Sequence, residues 1–348
     1  MITVGVDLGE RSYNVYFEGG LLGRVRDLID GFDTYDTVCV VSDSNVFPLY
    51  GRTLCDSLGI GTDAAFVFEA GEKSKNASTV MAMYEHFCRR HLTRQSLIIA
   101  LGGGVVGDLC GFAAATYMRG IDFVQVPTTL LAMTDSSIGG KTGFDLPFGK
   151  NLVGAFWQPR CVICDLDVLS TLPETFVCDG MAEVIKYAMI ADSEMFDLLA
   201  KGKGIPSGEI IARCARIKAD IVSADEHEGG KRKLLNFGHT GGHALEKCQN
   251  FCGLTHGAAV AVGMAAAALL GENTGFTKRG TYERLCSLLG RYNLPLECDV
   301  SAAEICSCIA ADKKCGGGKI DFILCSEIGV SRVYKTDIAE LEKQLLKI

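Results

Sequence analysis

The chain opens with two short alternating segments, Thr3 to Val6 and Tyr13 to Phe17, around a turn at Gly9, Glu10 and Arg11; the pattern predicts a β-hairpin over Ile2 to Phe17. A helical stretch over Gly23 to Asp30 follows. Thr37 to Val41 is a continuous apolar run of the kind a parallel strand buried on both faces requires, and it ends in Ser42, Asp43, Ser44 and Asn45. Ala65 to Phe68 predicts another strand, leading through Gly71, Glu72, Lys73, Ser74 and Lys75 into a helix that reaches Arg90. Leu97 to Leu101 repeats the theme and passes into Gly102, Gly103, Gly104 and Gly107, then into an alanine-rich helix, Val105 to Tyr117. Phe123 to Val126 and Cys161 to Leu166 are further strands. Strands alternating with helices predict an α/β domain with a Rossmann-like parallel sheet.

Near Thr171, Leu172 and Pro173 the period changes. Met181 to Leu199, Glu209 to Ala224, Thr240 to Cys248, Ala258 to Leu269, Thr281 to Leu289 and Ile338 to Leu346 all read as helical, and only Lys319 to Leu324 reads as extended. The chain therefore divides into an α/β domain over 1–172 and a mainly α-helical domain over 173–348, a natural split for 348 residues.

Composition narrows the function. A net charge of −8 argues against nucleic acid as a partner, so any anion site must be local. The N-terminus lacks a basic segment followed by an apolar core, and the longest apolar stretch, Ala258 to Leu270, is too short to span a bilayer, which predicts a soluble cytoplasmic protein. The 16 cysteines are scattered through a chain rich in core-forming residues. Cys161 and Cys164, and likewise Cys306 and Cys308, therefore read as core thiols rather than a metal knuckle or redox pair.

Candidate chemistry collects in three places. Gly102, Gly104 and Gly107 satisfy G-x-G-x-x-G between a strand and a helix, with Asp108 next, an arrangement that lets backbone amides and a helix dipole meet a phosphate. Beyond it, Thr128 and Thr129 follow a strand, where α/β folds place ligands, and Asp135, Ser136, Ser137, Lys141, Lys150 and Asn151 crowd the next segment. In the helical half, Glu183 and Lys186 are three apart, the spacing of an intrahelical ion pair. His239, His243 and His256 are three of only six histidines, which raises the prospect of a metal or acid/base centre; by spacing alone His239 and His243 form a chelating pair. Arg119, Lys141, Lys150, Lys186, Lys218 and Arg232 beside these motifs suit a small anionic substrate.

The ordered blocks GGGVVGD, YMRG, VQVPTTLLAMTDSSIGGKTG, GKNLVGAFWQP, GMAEVIKY, LLNFGHTGGHALE and LTHG closely resemble the 3-dehydroquinate synthase family of sugar-phosphate cyclases, from Asp43 to Lys314. The resemblance implies an NAD- and metal-dependent conversion of 3-deoxy-D-arabino-heptulosonate 7-phosphate to 3-dehydroquinate with loss of phosphate, in a homodimer. It implies metal ligands Glu183, His239 and His256, suited to zinc or cobalt with open positions for substrate oxygens, and moves His243 from chelation to substrate contact. NAD contacts would come from Asp43, Glu72, Lys75, Gly102, Gly103, Gly104, Asp108, Thr128, Thr129, Lys141, Lys150 and Thr171. Substrate contacts would come from Arg119, Asp135, Lys141, Asn151, Lys186, Lys218, Arg232, Asn236 and His243, with Lys313 or Lys314.

One departure stands out. After His256 and Gly257 the family usually has Glu where this chain has Ala258, so a carboxylate beside the metal would be lost. Three rival readings are another sugar-phosphate cyclase, a metal-dependent glycerol-type dehydrogenase with a related glycine loop, and a non-catalytic NAD-binding regulator. Sedoheptulose 7-phosphate cyclases carry Asp at the position of Asn236 and lack the histidine at 243, and deoxy-scyllo-inosose synthases carry Glu at the Asn236 position. Both features therefore favour dehydroquinate synthesis.

Overall fold

The continuous apolar runs become the centre of a sheet. In a computed structural model that describes residues 1–249, 253–313 and 319–337, the first part of the chain forms β1 (Ile2–Val6), β2 (Tyr13–Glu18), β3 (Val38–Asp43), α1 (Arg52–Leu58), β4 (Ala65–Phe68), α2 (Ala77–Arg89), β5 (Leu97–Gly102), α3 (Gly104–Thr116), β6 (Asp122–Pro127), β7 (Lys141–Leu146), β8 (Gly149–Phe156) and β9 (Cys161–Asp165). Seven strands make one sheet in the order β1-β2-β9-β6-β5-β3-β4, antiparallel only between β1 and β2. All six residues of β5 are buried, and each fully buried Leu or Ile there contributes on the order of 1.5–3 kcal/mol.

The chain leaves β3 for β4 on one side and then crosses to β5 on the other. That reversal puts the carboxyl ends of β3 and β5 next to each other, the crevice where open α/β sheets bind ligands. Asp43 ends β3, Gly102 ends β5, and Thr128 follows β6.

Two local expectations change here. The helix expected over Gly23 to Asp30 is a pair of 3₁₀ turns within Leu21–Leu28, interrupted at Arg24 with φ −142°. The polar segment carrying Lys141, Lys150 and Asn151, where the sequence predicts no strand, is extended: β7 and β8 pair as an antiparallel hairpin with Thr142 opposite Ala155. Gly143 and Gly154 face each other across it, and a Cβ on either would lie 2.4 Å from the opposing backbone oxygen.

After Pro173 come α4 (Glu174–Ala191) and α5 (Ser193–Lys201), then α6 (Gly208–Ala224), α7 (His239–Cys248), α8 (His256–Asn273), α9 (Thr281–Arg291), α10 (Ala302–Lys313), β10 (Lys319–Glu327) and β11 (Val330–Asp337). Two compact units result, one of Met1–Pro173 with Ser207–His227 and one of Glu174–Pro206 with Glu228–Ile348. α6, which the sequence assigns to the helical domain over 173–348, thus belongs to the first unit. Its inward face of Ile211, Cys214, Ala215 and Val222 is buried, and Ser223 accepts a hydrogen bond from the Asp7 amide at 3.0 Å. A sequence pattern shows that α6 has an apolar face but not which sheet will cover it.

The second unit is mainly helical. The single helix expected over Met181 to Leu199 divides because the Asp192 carboxylate accepts the Met195 amide at 2.9 Å and caps a new helix. Lys319 to Leu324 is extended as expected but not alone, since β11 pairs antiparallel with β10 and docks on α4 through Ser331 Oγ to the Ile190 carbonyl. Helix α10 lacked a clear period, and the helix expected over Ile338 to Leu346 lies outside the described residues. Among the described residues no helix is long and apolar enough to cross a membrane.

Candidate active site

In the second unit the packing of glycines decides which side chains meet. Gly238 has φ +79°, and a Cβ there would stand 2.4 Å from Met264 Cγ; a Cβ on Gly263 would stand 2.0 Å from the Gly238 carbonyl oxygen. α7 and α8 therefore touch backbone to backbone, which brings His239 at the start of α7 to His256 at the start of α8. Gly257 does the same toward α4, where its Cβ would lie 2.4 Å from Asp179 Cα. Asp179 Oδ1 accepts the Gly257 amide at 3.1 Å and the Thr255 hydroxyl, fixing where α8 begins. Glu183 is one turn further along α4.

Glu183, His239 and His256 consequently converge, with one donor atom of each within 4.8 Å of the others. Glu183 Oε1 is 3.4 Å from His239 Nε2 and 3.5 Å from His256 Nε2. Donors bound about 2.0–2.1 Å from a tetrahedral zinc ion stand roughly 3.4 Å apart, so the spacing fits a divalent ion at the centre. The buried Glu183 oxygens take no well-formed hydrogen bond, and Oε2 lies against the buried ammonium of Lys186, leaving Oε1 toward the histidines. Burial alone would raise the Glu183 pKa, but Lys186 and the histidines outweigh it and hold the carboxyl well below its ordinary range.

Both histidines are oriented from behind. His239 Nδ1 lies 3.2 Å from the Phe237 carbonyl, and His256 Nδ1 lies 3.5 Å from Glu246 Oε2, so each turns Nε2 toward Glu183. Burial by itself would lower the His256 pKa; Glu183 and Glu246 raise it to about 10 instead. The carboxylate missing at Ala258 is thus matched by one on α7. Sequence reasoning missed Glu246, although its spacing of three from His243 puts the two on one helix face.

The spacing-only pairing of His239 with His243 does not describe the cluster. The two rings are 5.3 Å apart edge to face, but Glu183 joins His239 to His256, while His243 groups with Glu246 and His256. Although solvent reaches His243, burial of its ring pushes its pKa down to about 4, and His239 and His256 add to the effect. Nearby in sequence, Asn236 Nδ2 donates to Glu228 at 2.7 Å and Arg232 is buried. Lys314 lies outside the described residues, and of Lys313 only its place at the end of α10 is described.

The first unit carries the other constellation. α3 starts at Gly104 with Gly103 at its N-cap and no side chain capping it, so its first amides face outward beside Thr128 and Thr129. Gly102 must be glycine, because a Cβ there would lie 2.4 Å from Val106 Cγ2. The buried Lys75 donates to Asp108 and to Asn151 Oδ1, each at 2.6 Å. Burial alone would lower the Lys75 pKa, but Asp108 and Glu72 raise it and keep the ammonium charged. Lys150 stands 3.7 Å from Glu72. Asn151, with φ 54°, also donates its amide to Asp145.

Lys218 reaches Asp135 Oδ1 at 2.6 Å and the Asp135 carbonyl at 2.8 Å. Asp43 turns Oδ1 to the Asn45 and Val46 amides, both at 2.9 Å, and so shapes the turn after β3. Thr171 meets the Tyr50 hydroxyl. Arg119 and Lys141 are exposed, Arg119 in a left-handed turn with Met118 and Gly120.

An α/β unit with a bare glycine-rich helix start, followed by a mainly helical unit with a Glu/His/His cluster, is the architecture of the sugar-phosphate cyclases. A 2-deoxy-scyllo-inosose synthase solved with carbaglucose-6-phosphate, NAD⁺ and Co²⁺ superposes with TM-score 0.88 at 27% identity, covering 99% of each chain. ValA, the 2-epi-5-epi-valiolone synthase of Streptomyces hygroscopicus subsp. jinggangensis, solved with NAD⁺ and Zn²⁺, gives 0.85 at 27% identity over 98% of each. Residues 65–179 match the 3-dehydroquinate synthase N-terminal family and residues 180–315 its C-terminal counterpart. The 3-dehydroquinate synthase of Clostridium kluyveri is 40% identical over 98% of this chain and 97% of its own length. The chain belongs to the 3-dehydroquinate synthase family.

Proposed function

We propose that the protein converts 3-deoxy-D-arabino-heptulosonate 7-phosphate to 3-dehydroquinate and inorganic phosphate, as an NAD- and zinc-dependent carbon–oxygen lyase; the single observation that carries the reading is the convergence of Glu183, His239 and His256. Glu183 Oε1 and the two Nε2 atoms hold the metal, with cobalt able to replace zinc, and leave positions for substrate oxygens. Amides at the start of α3, with Asp43, Glu72, Lys75, Gly102, Gly103, Gly104, Asp108, Thr128, Thr129, Lys141, Lys150 and Thr171, hold NAD. When bound, the metal acidifies a substrate hydroxyl and NAD accepts and returns a hydride, chemistry no side chain here supplies.

The remaining work is binding and positioning. Arg119, Lys141, Asn151, Lys186, Lys218, Arg232, Asn236 and His243 orient the carboxylate, hydroxyls and phosphate of the substrate, with Asp135 holding Lys218 in place. The departing phosphate itself takes the proton from the neighbouring carbon, so no carboxylate is assigned as a dedicated base. Asn236 and His243 favour this substrate over those of the related cyclases. Supporting the reading further, a neighbouring cyclase binds a sugar-phosphate analogue with NAD⁺ and Co²⁺. The protein acts in the cytoplasm as a homodimer, which sedimentation tests. Function is tested by whether phosphate and dehydroquinate appear together without lasting NADH.

A further inference from the structure

Cys248 is the last residue of α7, the helix that begins at His239, and Cys308 lies in the middle of α10. Their Sγ atoms are 2.7 Å apart. Nonbonded carbons settle about 3.5–4.0 Å apart and sulfur is larger, so this is closer than packing alone would bring two thiols. Cys306 and Cys308 are two apart on a helix and so face opposite ways. Cys306 is buried as the sequence predicts for a core thiol, whereas Cys308 is half-buried beside the half-buried Cys248. The Cys248 thiol also points toward the Glu304 carbonyl, 3.6 Å away and one turn before Cys308, which holds it on that side of α10.

We propose that Cys248 and Cys308 are a modification site, a dithiol that a low-molecular-weight disulfide oxidises to an intramolecular bridge tying the end of α7 to α10. A disulfide needs the sulfurs at about 2.03–2.05 Å, so closure asks for a movement of roughly 0.7 Å. The first protein thiolate attacks one sulfur of the oxidant, forming a mixed disulfide and expelling one oxidant thiolate. The second protein thiolate attacks the protein sulfur of that intermediate, forming the Cys248–Cys308 bond and expelling the other. Two electrons pass from the protein to the oxidant, and the two protons of the protein thiols end on the released small thiols. The bridge spans 60 positions of sequence and fixes the far end of the helix whose near end carries His239 and His243.

The test treats the full-length, metal-loaded protein with oxidised glutathione, then counts thiols after denaturation and maps peptides without reduction. Two of the 16 thiols are expected to be lost. One linked pair joining the Cys248 and Cys308 peptides is expected, and dithiothreitol is expected to reverse it. C248S and C308S, each close in volume to the parent, are each expected to abolish the linked pair. Retention of all thiols, Cys248 recovered only as a glutathione adduct with Cys308 free, or Cys248 joined to a different cysteine would each overturn the proposal.

Discussion

His256 Nδ1 and Glu246 Oε2 stand 3.5 Å apart, and this pairing turns the opposite ring nitrogen of His256 toward Glu183. Glu246 is 3% exposed and sits on α7 rather than next to His256 in sequence, so it performs the orienting role that Ala258 cannot. Glu246→Gln is expected to weaken zinc binding about 10- to 100-fold, in line with outer-shell substitutions at metal sites. Competition with a chromophoric chelator measures this, and nucleotide affinity should not change. Unaltered zinc affinity would mean that His256 is held by its helix alone.

The glycine contact between α7 and α8 makes a prediction that couples packing to the site. Gly263→Ala places a Cβ 2.0 Å from the Gly238 carbonyl, an atom that cannot move aside without moving His239. Overpacking of this kind costs about 1–3 kcal/mol, so the denaturant midpoint should fall and zinc affinity with it. Gly290→Ala in α9 is the control, since nothing lies within 4 Å of its Cβ. That variant should gain about 0.4–1 kcal/mol and bind zinc normally.

Lys75 bridges Asp108 and Asn151 beneath the glycine-rich turn. Lys75→Met removes a charged donor from both, an interaction worth about 1.5–3 kcal/mol, and is expected to lower NAD affinity roughly tenfold or more. Titration by nucleotide fluorescence reads the loss. Zinc affinity should stay at the parent value, which separates this effect from general unfolding.

His243 is expected to be neutral at every pH above about 5, because burial and the two neighbouring histidines bring its pKa down to about 4. Between its ordinary value of 6.5 and 4, the unfolded chain takes up a proton that the folded one refuses. The His243 contribution to stability is therefore complete above about pH 6.5 and declines as pH falls toward 4. Ring-proton NMR of the metal-free protein follows the titration directly. A midpoint near 6.5 would show that neither burial nor the neighbouring rings act on it.

Much of this was legible in the sequence, and the failures have physical causes. The middles of β3, β5 and β6 are continuous or nearly continuous apolar runs, broken only by Gln125 in β6, so those runs announced them; Gly102 and Gly104 stood where a strand meets a helix. The β7–β8 hairpin escaped because Lys141, Lys150, Asn151 and three glycines leave little period-2 pattern in it. Asp192 divided a helix that periodicity joined, since an acidic residue in an amphipathic run looks like a solvated face until its carboxylate is seen capping the next turn. The location of α6 in the first unit, and the place of Glu246 behind His256, depend on which surfaces pack together. No spacing rule encodes that. Glu183 differs: spacing alone makes it one half of an ion pair with Lys186, the family resemblance names it beside His239 and His256, and the structure brings it against both histidines.

The most direct measurement gives purified protein the heptulosonate 7-phosphate and NAD, and follows inorganic phosphate, dehydroquinate and NADH together, with the metal stripped and then restored. Phosphate and dehydroquinate should form in equal amounts with no lasting NADH, stop when the metal is removed, and resume with zinc or cobalt. Accumulating NADH without phosphate, or turnover indifferent to the metal, would contradict a cyclase built on Glu183, His239 and His256.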